Sequence, residues 1–249
     1  MPFRDLFSER AALYTRVRPD YPAALIAFAA SVAPGHDTAW DCATGNGQAA
    51  VALAEHFKHV IATDASAEQI AHAKPHDRVD YRVATAEESG LPDASIDLTT
   101  VAQALHWFDL SAFYREVDRV LRPDGALVVW TYGDPVVDEP NVNAVLQRFN
   151  FETMGSYWPK ERGAVGEAYR ALPFPFREVD APAFQLERRW TLDELAGYLR
   201  SWSAVTRYRT LHDDDPVAAV EREFADVWGD PTSTHLVRWP VTVRAGRKR

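Results

Sequence analysis

The sequence predicts an α/β fold, a mostly parallel sheet with helices on both faces, from three observations. Short apolar runs of strand type alternate with stretches of helical period through the first half of the chain. The run around Trp40 meets an acidic residue, Asp41, and then a small-residue turn that opens directly into a helix-forming stretch. The next apolar run closes on Asp64, and an acid about 20 residues beyond such a turn is where these sheets place a ribose-binding carboxylate.

Taken in order, Pro22 to Val32 predicts a leader helix, and Thr38 to Cys42 the first strand. Gln48 to Phe57, rich in Ala, Val and Leu, predicts a helix whose small residues let it lie close to the sheet. The second strand is expected at Val60 to Thr63, and Ser66 with Gln69 is a capping-box signature for the helix after Asp64. Tyr81 to Ala84, Ile96 to Val101 and Ala126 to Tyr132 read as further parallel strands. Between the last two, Leu110, Phe113, Tyr114, Val117, Val120 and Leu121 make one apolar helix face, which is core. After Tyr132 prolines punctuate the chain, so an insertion or cap is expected there. Phe184 to Trp190 and Leu236 to Ala245 alternate as late strands, with Thr191 and Glu194 starting a helix that runs to about Ser203.

The 249 residues, 47% hydrophobic and 12% aromatic, suffice for one domain with a sizeable core. It divides into a leader over 1–36, a cofactor-binding core over 37–133, a cap over 134–183 and a sheet-completing part over 184–249. A net charge of −9 argues against general nucleic-acid or anionic-membrane binding. Arg244, Arg247, Lys248 and Arg249 form the one basic cluster and read as a solvated tail. Cys42, a lone cysteine within the first strand, reads as a small buried apolar residue. No Cys and His grouping has zinc spacing, so no metal is expected. With no signal-peptide pattern and no apolar stretch near the roughly 20 residues of a membrane span, the chain reads as cytoplasmic.

The turn Asp41 to Gly47 carries the chemistry. Gly45 and Gly47 have no Cβ, so the chain can turn sharply and let a ligand approach its backbone. The pattern G-x-G-x-x-A also fits Gly45 to Ala50 in a nicotinamide-binding unit. Asp41 shifts the balance, because phosphates avoid a nearby carboxylate whereas a ligand carrying an ammonium and a sulfonium has cations to satisfy. Asp41 reads alternatively as an internal cap holding the amides of Gly45 or Gly47.

From about Phe7 to Trp130 the chain resembles the class I S-adenosylmethionine-dependent methyltransferases. Tyr14, Arg18, Pro19, Tyr21 and Pro22 look like the leader Y-x-x-x-R-P-x-Y-P of the trans-aconitate methyltransferase-like branch. Asp41 to Gly47 is similar to the family's glycine motif, Asp64 to its ribose acid, and Ala84 to Pro92 to the segment that meets adenine. Gln103, His106 and Trp107, and Leu121 to Gly125, follow in order. The resemblance implies a Rossmann-like sheet of seven strands, the last antiparallel, with a helical cap made by the leader and the insertion after strand 5. It implies S-adenosyl-L-methionine as cofactor and S-adenosyl-L-homocysteine as product. Its site would comprise Tyr14, Arg18, Asp41, Ala43, Gly45, Gly47, Asp64, Ala65, Thr85, Ala86, Glu87 and Gln103. Two positions depart from the family. Ala43 replaces a glycine, tolerable at negative φ, and Thr85 replaces an acid, passing the adenine contact to Glu87, to backbone near Ala86 or to water.

Methyl transfer from sulfonium is an in-line displacement with a good leaving group, so alignment and a dry pocket are the chief demands. The expected acceptor is a small molecule. If it is a carboxylate, no strong base is needed, and Arg16, Arg18, Arg200 and Arg207 are available as clamps. If it is a hydroxyl or amine, His106 is the candidate general base, or positions the acceptor beside Gln103. Trp107, Trp130, Tyr132 and Trp202 would line the acceptor, while Tyr157, Trp158 and Tyr208 suit a flatter, less polar molecule. A nicotinamide-dependent oxidoreductase and a non-catalytic binding protein on the same fold are the alternatives.

Overall fold

The computed structural model describes residues 19–159, 169, 171–230 and 232–249. Tyr14, Arg16 and Arg18 lie outside the described residues. The chain runs α1 (Ala23–Val32), β1 (Thr38–Cys42), α2 (Gln48–Leu53), β2 (His59–Asp64), α3 (Ala67–Ala71), β3 (Val79–Val83), β4 (Ile96–Ala102), α4 (Leu110–Val120) and β5 (Leu121–Tyr132). It continues β6 (Val136–Val137), α5 (Pro140–Arg148), β7 (Arg177–Val179), β8 (Phe184–Trp190), α6 (Leu192–Arg200), α7 (Ser203–Leu211), α8 (Pro216–Trp228) and β9 (His235–Arg247).

The first five strands lie parallel in the order β3-β2-β1-β4-β5, and β9 joins antiparallel to β5. After β3 the chain crosses to the other side of β1, so the strand order reverses between β1 and β4. A crevice opens at their carboxyl ends. Alternation decides which side chains reach which face. Ala39, Val60, Ala62, Leu98, Val128 and Trp130 enter the core shared with α1 and α2, while Trp40, Cys42, Val101, Leu127 and Val129 enter the core under α4. Burying each large apolar side chain contributes about 1.5–3 kcal/mol. Cys42 is fully buried, and desolvation holds its thiol well above its ordinary range.

Among the described residues the seven-strand frame is present with two short additions, giving nine strands. Val241 pairs with both Tyr132 of β5 and Phe184 of β8, so those strands occupy opposite edges of β9. β6 follows β5 along one edge and β7 lies in line with β8 along the other. Because β9 is antiparallel to β5, its residues before Val241 project past the carboxyl end of β5, with β8 beside them. Four helices, α5 to α8, gather at this projecting end. Their shared aromatic core stacks Trp202 on Phe149 at 6.0 Å and sets it beside Trp158 at 5.1 Å and Tyr198 at 5.9 Å.

Boundaries follow the local chemistry. The Thr191 and Glu194 capping box forms in both directions at the start of α6, and Ser66 Oγ accepts from Gln69 N at α3. The helix expected to reach Phe57 ends at Leu53, where the chain turns to bury Phe57 and re-enter the sheet. β5 begins earlier than expected, at Leu121. Asp124 at φ 60° absorbs the extra residues, so that Ile96 pairs with Leu121 but Leu98 with Ala126.

Three of the basic cluster's four cations are engaged, and the fourth, Arg249, is exposed as a tail residue would be. Arg244 donates to the carbonyls of Tyr169 and Leu172 and to Glu178, and lies 4.5 Å over the Phe174 ring. Arg247 donates to Val32 O at 3.0 Å, and Lys248 Nζ to the carbonyls of Asp118 and Leu121. Arg247 and Lys248 thus close the strand against carbonyl groups at the ends of α1 and α4, where positive charge is favoured.

Candidate functional site

Asp41, the penultimate residue of β1, is only 1% exposed. Thr44 Oγ1 donates to it at 2.5 Å and Thr100 Oγ1 at 2.7 Å, with the amide of Ala50 also directed at it. Burial outweighs these bonds and raises its pKa from 3.8 to about 6. It does hold the turn internally, but through Thr44, Thr100 and Ala50, not through the amides of Gly45 or Gly47. Its charge reaches the crevice through a low-dielectric wall without direct exposure.

The Gly45 amide goes instead to Asp64 Oδ2 at 2.8 Å, and Asp64 Oδ1 accepts from Ser66 N at 2.8 Å. These two bonds fix the orientation of the Asp64 carboxylate at the carboxyl end of β2. The glycines differ in what surrounds them. Among the described residues, a Cβ on Gly45, at φ 57°, would meet only Gln69 Oε1 at 3.9 Å, so none of them crowds this turn. A Cβ on Gly47, at φ 84°, would lie 2.1 Å from Tyr81 Oη. Gly47 therefore serves the packing of Tyr81, whose hydroxyl donates to Lys74 O at 2.7 Å, rather than ligand approach. Ala43 does not keep negative φ: it sits at φ 55°, a left-handed conformation that costs an alanine about 1–2 kcal/mol.

On the adenine side, Ala65 is half-buried, Thr85 exposed, Ala86 buried and Glu87 half-buried. Glu87 Oε1 accepts from Asp109 N at 3.0 Å, tying this segment to the start of α4. A stronger tie was not legible as a site feature. Glu116, on the apolar face of α4, accepts Ser89 N at 2.9 Å and the Ser89 hydroxyl, and pairs with Arg119, which also holds Leu91 O at 2.8 Å. The Arg119 guanidinium keeps the Glu116 carboxyl below its ordinary value of 4.5. The available signal is an acid interrupting an apolar stripe, between Tyr114 and Val117.

Beyond β4, Gln103 adopts φ 60°, its amide bonds to Trp130 O at 2.9 Å, and its Oε1 accepts from Thr131 Oγ1 at 2.9 Å. His106 lies half-buried beside Trp107, ring centroids 4.7 Å apart, with Nδ1 3.0 Å from Tyr169 Oη. Trp107 is 41% exposed. Trp130 and Trp202 present no face to a ligand. Trp130 is fully buried edge-on to Tyr21, and Trp202, 3% exposed, belongs to the aromatic core of the helical group. Tyr132 is 8% exposed and contributes its carbonyl to Gln103 at 3.5 Å. Tyr157 packs on Tyr208 and Trp158 on Trp202 within the cap. Arg200 is likewise spent, bidentate to Glu221 at 2.9 and 2.5 Å and near Asp215 at 3.5 Å. The end of the leader is fastened across the glycine turn, since Gln48 Nε2 donates to Pro19 O at 3.0 Å and to Asp20 at 3.1 Å, and Arg188 pairs with Asp20.

The donor set fits a nucleoside with a cationic side arm: a backbone position at Gly45 that no described residue crowds, a carboxylate at Asp64, and a buried negative charge at Asp41. The pattern that defines the methyltransferase domain matches residues 40–129. A protein of Dictyostelium discoideum provisionally named a methyltransferase is 35% identical over 213 residues, spanning 83% of this chain and 80% of the relative. A protein of Saccharomyces cerevisiae provisionally named an S-adenosylmethionine-dependent methyltransferase is 30% identical over 233 residues, spanning 80% of each. The solved structure of a candidate type II methyltransferase from Anaeromyxobacter dehalogenans superposes with a TM-score of 0.87 at 46% identity, covering 92% of this chain and 97% of that one.

Proposed function

This chain belongs to the class I S-adenosylmethionine-dependent methyltransferases, and from that premise we propose that it methylates a small molecule held between the ends of β4 and β5 and the helices α5 to α8. It is an enzyme that uses S-adenosylmethionine and releases S-adenosylhomocysteine, which decides between the nucleotide classes that the glycine turn alone leaves open. When bound, the donor supplies a methyl group on a positively charged sulfur.

The residues do the rest. Asp64 receives the ribose hydroxyls, the backbone of Ala43 to Gly45 borders the side arm, and Asp41 supplies the compensating negative charge. Ala65, Thr85, Ala86 and Glu87 border the adenine, with Glu116 holding their segment in place. Tyr14 and Arg18 are assigned to the donor by the family resemblance alone, and the described residues begin at Pro19, whose carbonyl Gln48 holds. Gln103 and His106 border the acceptor, with Trp107 as its apolar wall. Arg200, committed to Glu221 and Asp215, does not clamp a carboxylate. Trp107 and His106 suit a flat acceptor with a hydroxyl or amine, and exposed Arg207 keeps a small carboxylate as the second class to test.

The observation that carries the reading is the Gly45 amide bonded to Asp64 at the carboxyl ends of β1 and β2, with Gly45 uncrowded by any described residue. Calorimetry tests it. Asp64→Ala should weaken S-adenosylhomocysteine binding at least tenfold. It should also lower stability, by about 1–3 kcal/mol, because the Gly45 and Ser66 amides lose their acceptor. Unchanged affinity in a folded variant removes Asp64 from the ribose role. Transfer of labelled methyl to a panel of phenols, amines and small acids, set against protein and RNA substrates, tests the acceptor class.

A further inference from the structure

The helical cap holds a buried polar group that its own core does not satisfy. Asn150 is 1% exposed, and its Nδ2 has no hydrogen-bond partner among the described residues. Trp158 fixes which way the amide lies, because its Nε1 is 3.1 Å from Asn150 Oδ1 and 3.3 Å from the Asn150 carbonyl. An indole N–H only donates, so the atom facing it is the amide oxygen, and the NH2 with its two protons is the end left over. Buried side-chain donors are nearly always paired. Thr99 Oγ1 and Trp130 Nε1, the other such atoms among the described residues, sit on β4 and β5 within the sheet, whereas Asn150 belongs to the cap.

Its place in the fold selects what would meet that NH2. Beyond Arg148, α5 widens into a π-helical stretch, Phe149–Thr153, closed by the Met154 amide on Phe149 O at 2.9 Å. Wide turns of this kind recur at functional sites. Gln147, three residues before Asn150, donates to Pro135 O at 3.0 Å, and Pro135 comes three residues after Tyr132, the last of β5. The stretch is thereby tied to the carboxyl end of β5. Flat rings surround it: Phe149 stacks on Trp202, and Trp202 stands beside the Trp158 that holds the amide. An uncharged donor among such rings suits an uncharged accepting oxygen, since a carboxylate would lose its hydration there without a countercharge.

We propose that Asn150 is a substrate-binding residue whose side-chain NH2 recognises a carbonyl oxygen on a flat methyl acceptor, at a point away from the atom that is methylated. The inference rests on the reading of this end of the sheet as the acceptor site, and it adds the substrate class: an aromatic phenol or amine with a carbonyl on the ring. A buried donor of this kind discriminates sharply, because an analogue without the oxygen leaves it unpaired.

The test uses two probes matched in ring, size and phenol, para-hydroxyacetophenone and para-ethylphenol, which differ in the carbonyl oxygen. Calorimetry on the full-length protein saturated with S-adenosylhomocysteine should show the ketone binding at least about tenfold more tightly. The side-chain amide signals of Asn150 in nitrogen NMR, assigned by Asn150→Leu or by selective labelling, should shift with the ketone and stay in place with para-ethylphenol. Asn150→Leu should bind the two probes equally, and so should Asn150→Asp, which keeps an oxygen for Trp158 and removes the NH2. Absence of binding or equal binding of the probes by the wild type overturns the proposal, as does an unmoved Asn150 signal or a preference retained in either folded variant. Selective binding of the ketone with no methyl transfer to any small molecule would sink the functional reading and leave this assignment standing. Methylation of both phenols with equal kcat/KM would sink the assignment and leave the functional reading standing.

Discussion

Replacing Asp41 with Asn should make the protein more stable above pH 6 and a poorer binder of its donor. The carboxyl is buried and its pKa rises from 3.8 in the unfolded chain to about 6 in the fold. Below pH 4 both states hold the proton and the group is neutral in its effect. As pH rises from about 4 to 6 the unfolded state ionises first, so the folded state loses ground, and above 6 the full cost is present. At about 1.4 kcal/mol for each tenfold in proton affinity, that cost is about 3 kcal/mol. Asn carries no charge and escapes it, while losing up to about 1 kcal/mol at every pH from one rearranged threonine hydrogen bond. Urea unfolding of both proteins from pH 4 to 7.5 should show the stability difference, variant minus wild type, climbing by about 3 kcal/mol across the window. A difference that stays level would refute the argument that burial dominates this carboxyl. S-adenosylhomocysteine affinity at pH 7.5 should fall in the same variant, since the charge retained at this cost serves the donor.

Two further substitutions probe what packs against the site. Gly47→Ala should destabilise by about 2–3 kcal/mol, from left-handed strain and a displaced Tyr81 that loses its bond to Lys74. In a thermal or urea double-mutant cycle with Tyr81→Ala the losses should be non-additive, and strict additivity would show that the ring does not occupy the turn. Glu116→Ala should cost about 2–4 kcal/mol at pH 7, because the Ser89 amide and hydroxyl lose their acceptor, and should weaken donor binding by loosening residues 85–89. The Glu116 contribution has the opposite pH sense to that of Asp41. Its pKa is depressed, so its stabilisation is present above 4.5 and is lost as pH falls through its folded value, and identical acid unfolding of wild type and Glu116→Ala would contradict this.

How much could be read in advance depended on the range over which each feature is determined. β1 and β8 match the expected residues because alternation is a local property, and the Thr191 box because its partners are three residues apart. The pairing of Asp41 with Thr100 spans two strands, and that of Gly47 with Tyr81 depends on how β3 lies beside β2, so neither could be deduced from spacing. Trp130 and Trp202 look like site aromatics until the face of the strand and the packing of the helices are known. Tyr169 carries no sequence signal at all, since its partner His106 lies 63 residues away, beyond the end of β4. The terminal cations misled for a related reason: their partners are carbonyl groups, which composition does not reveal.

That one strand serves β5, β6, β7 and β8 has a consequence for biogenesis. Tyr132 emerges from the ribosome long before its partner Val241, and β8 likewise waits for residues 235–241. Until then the growing chain displays two unmated ribbons, and such species invite pairing with other nascent chains. Yield in the cell should therefore respond to chaperone supply and growth temperature more steeply than the stability of the finished enzyme would suggest.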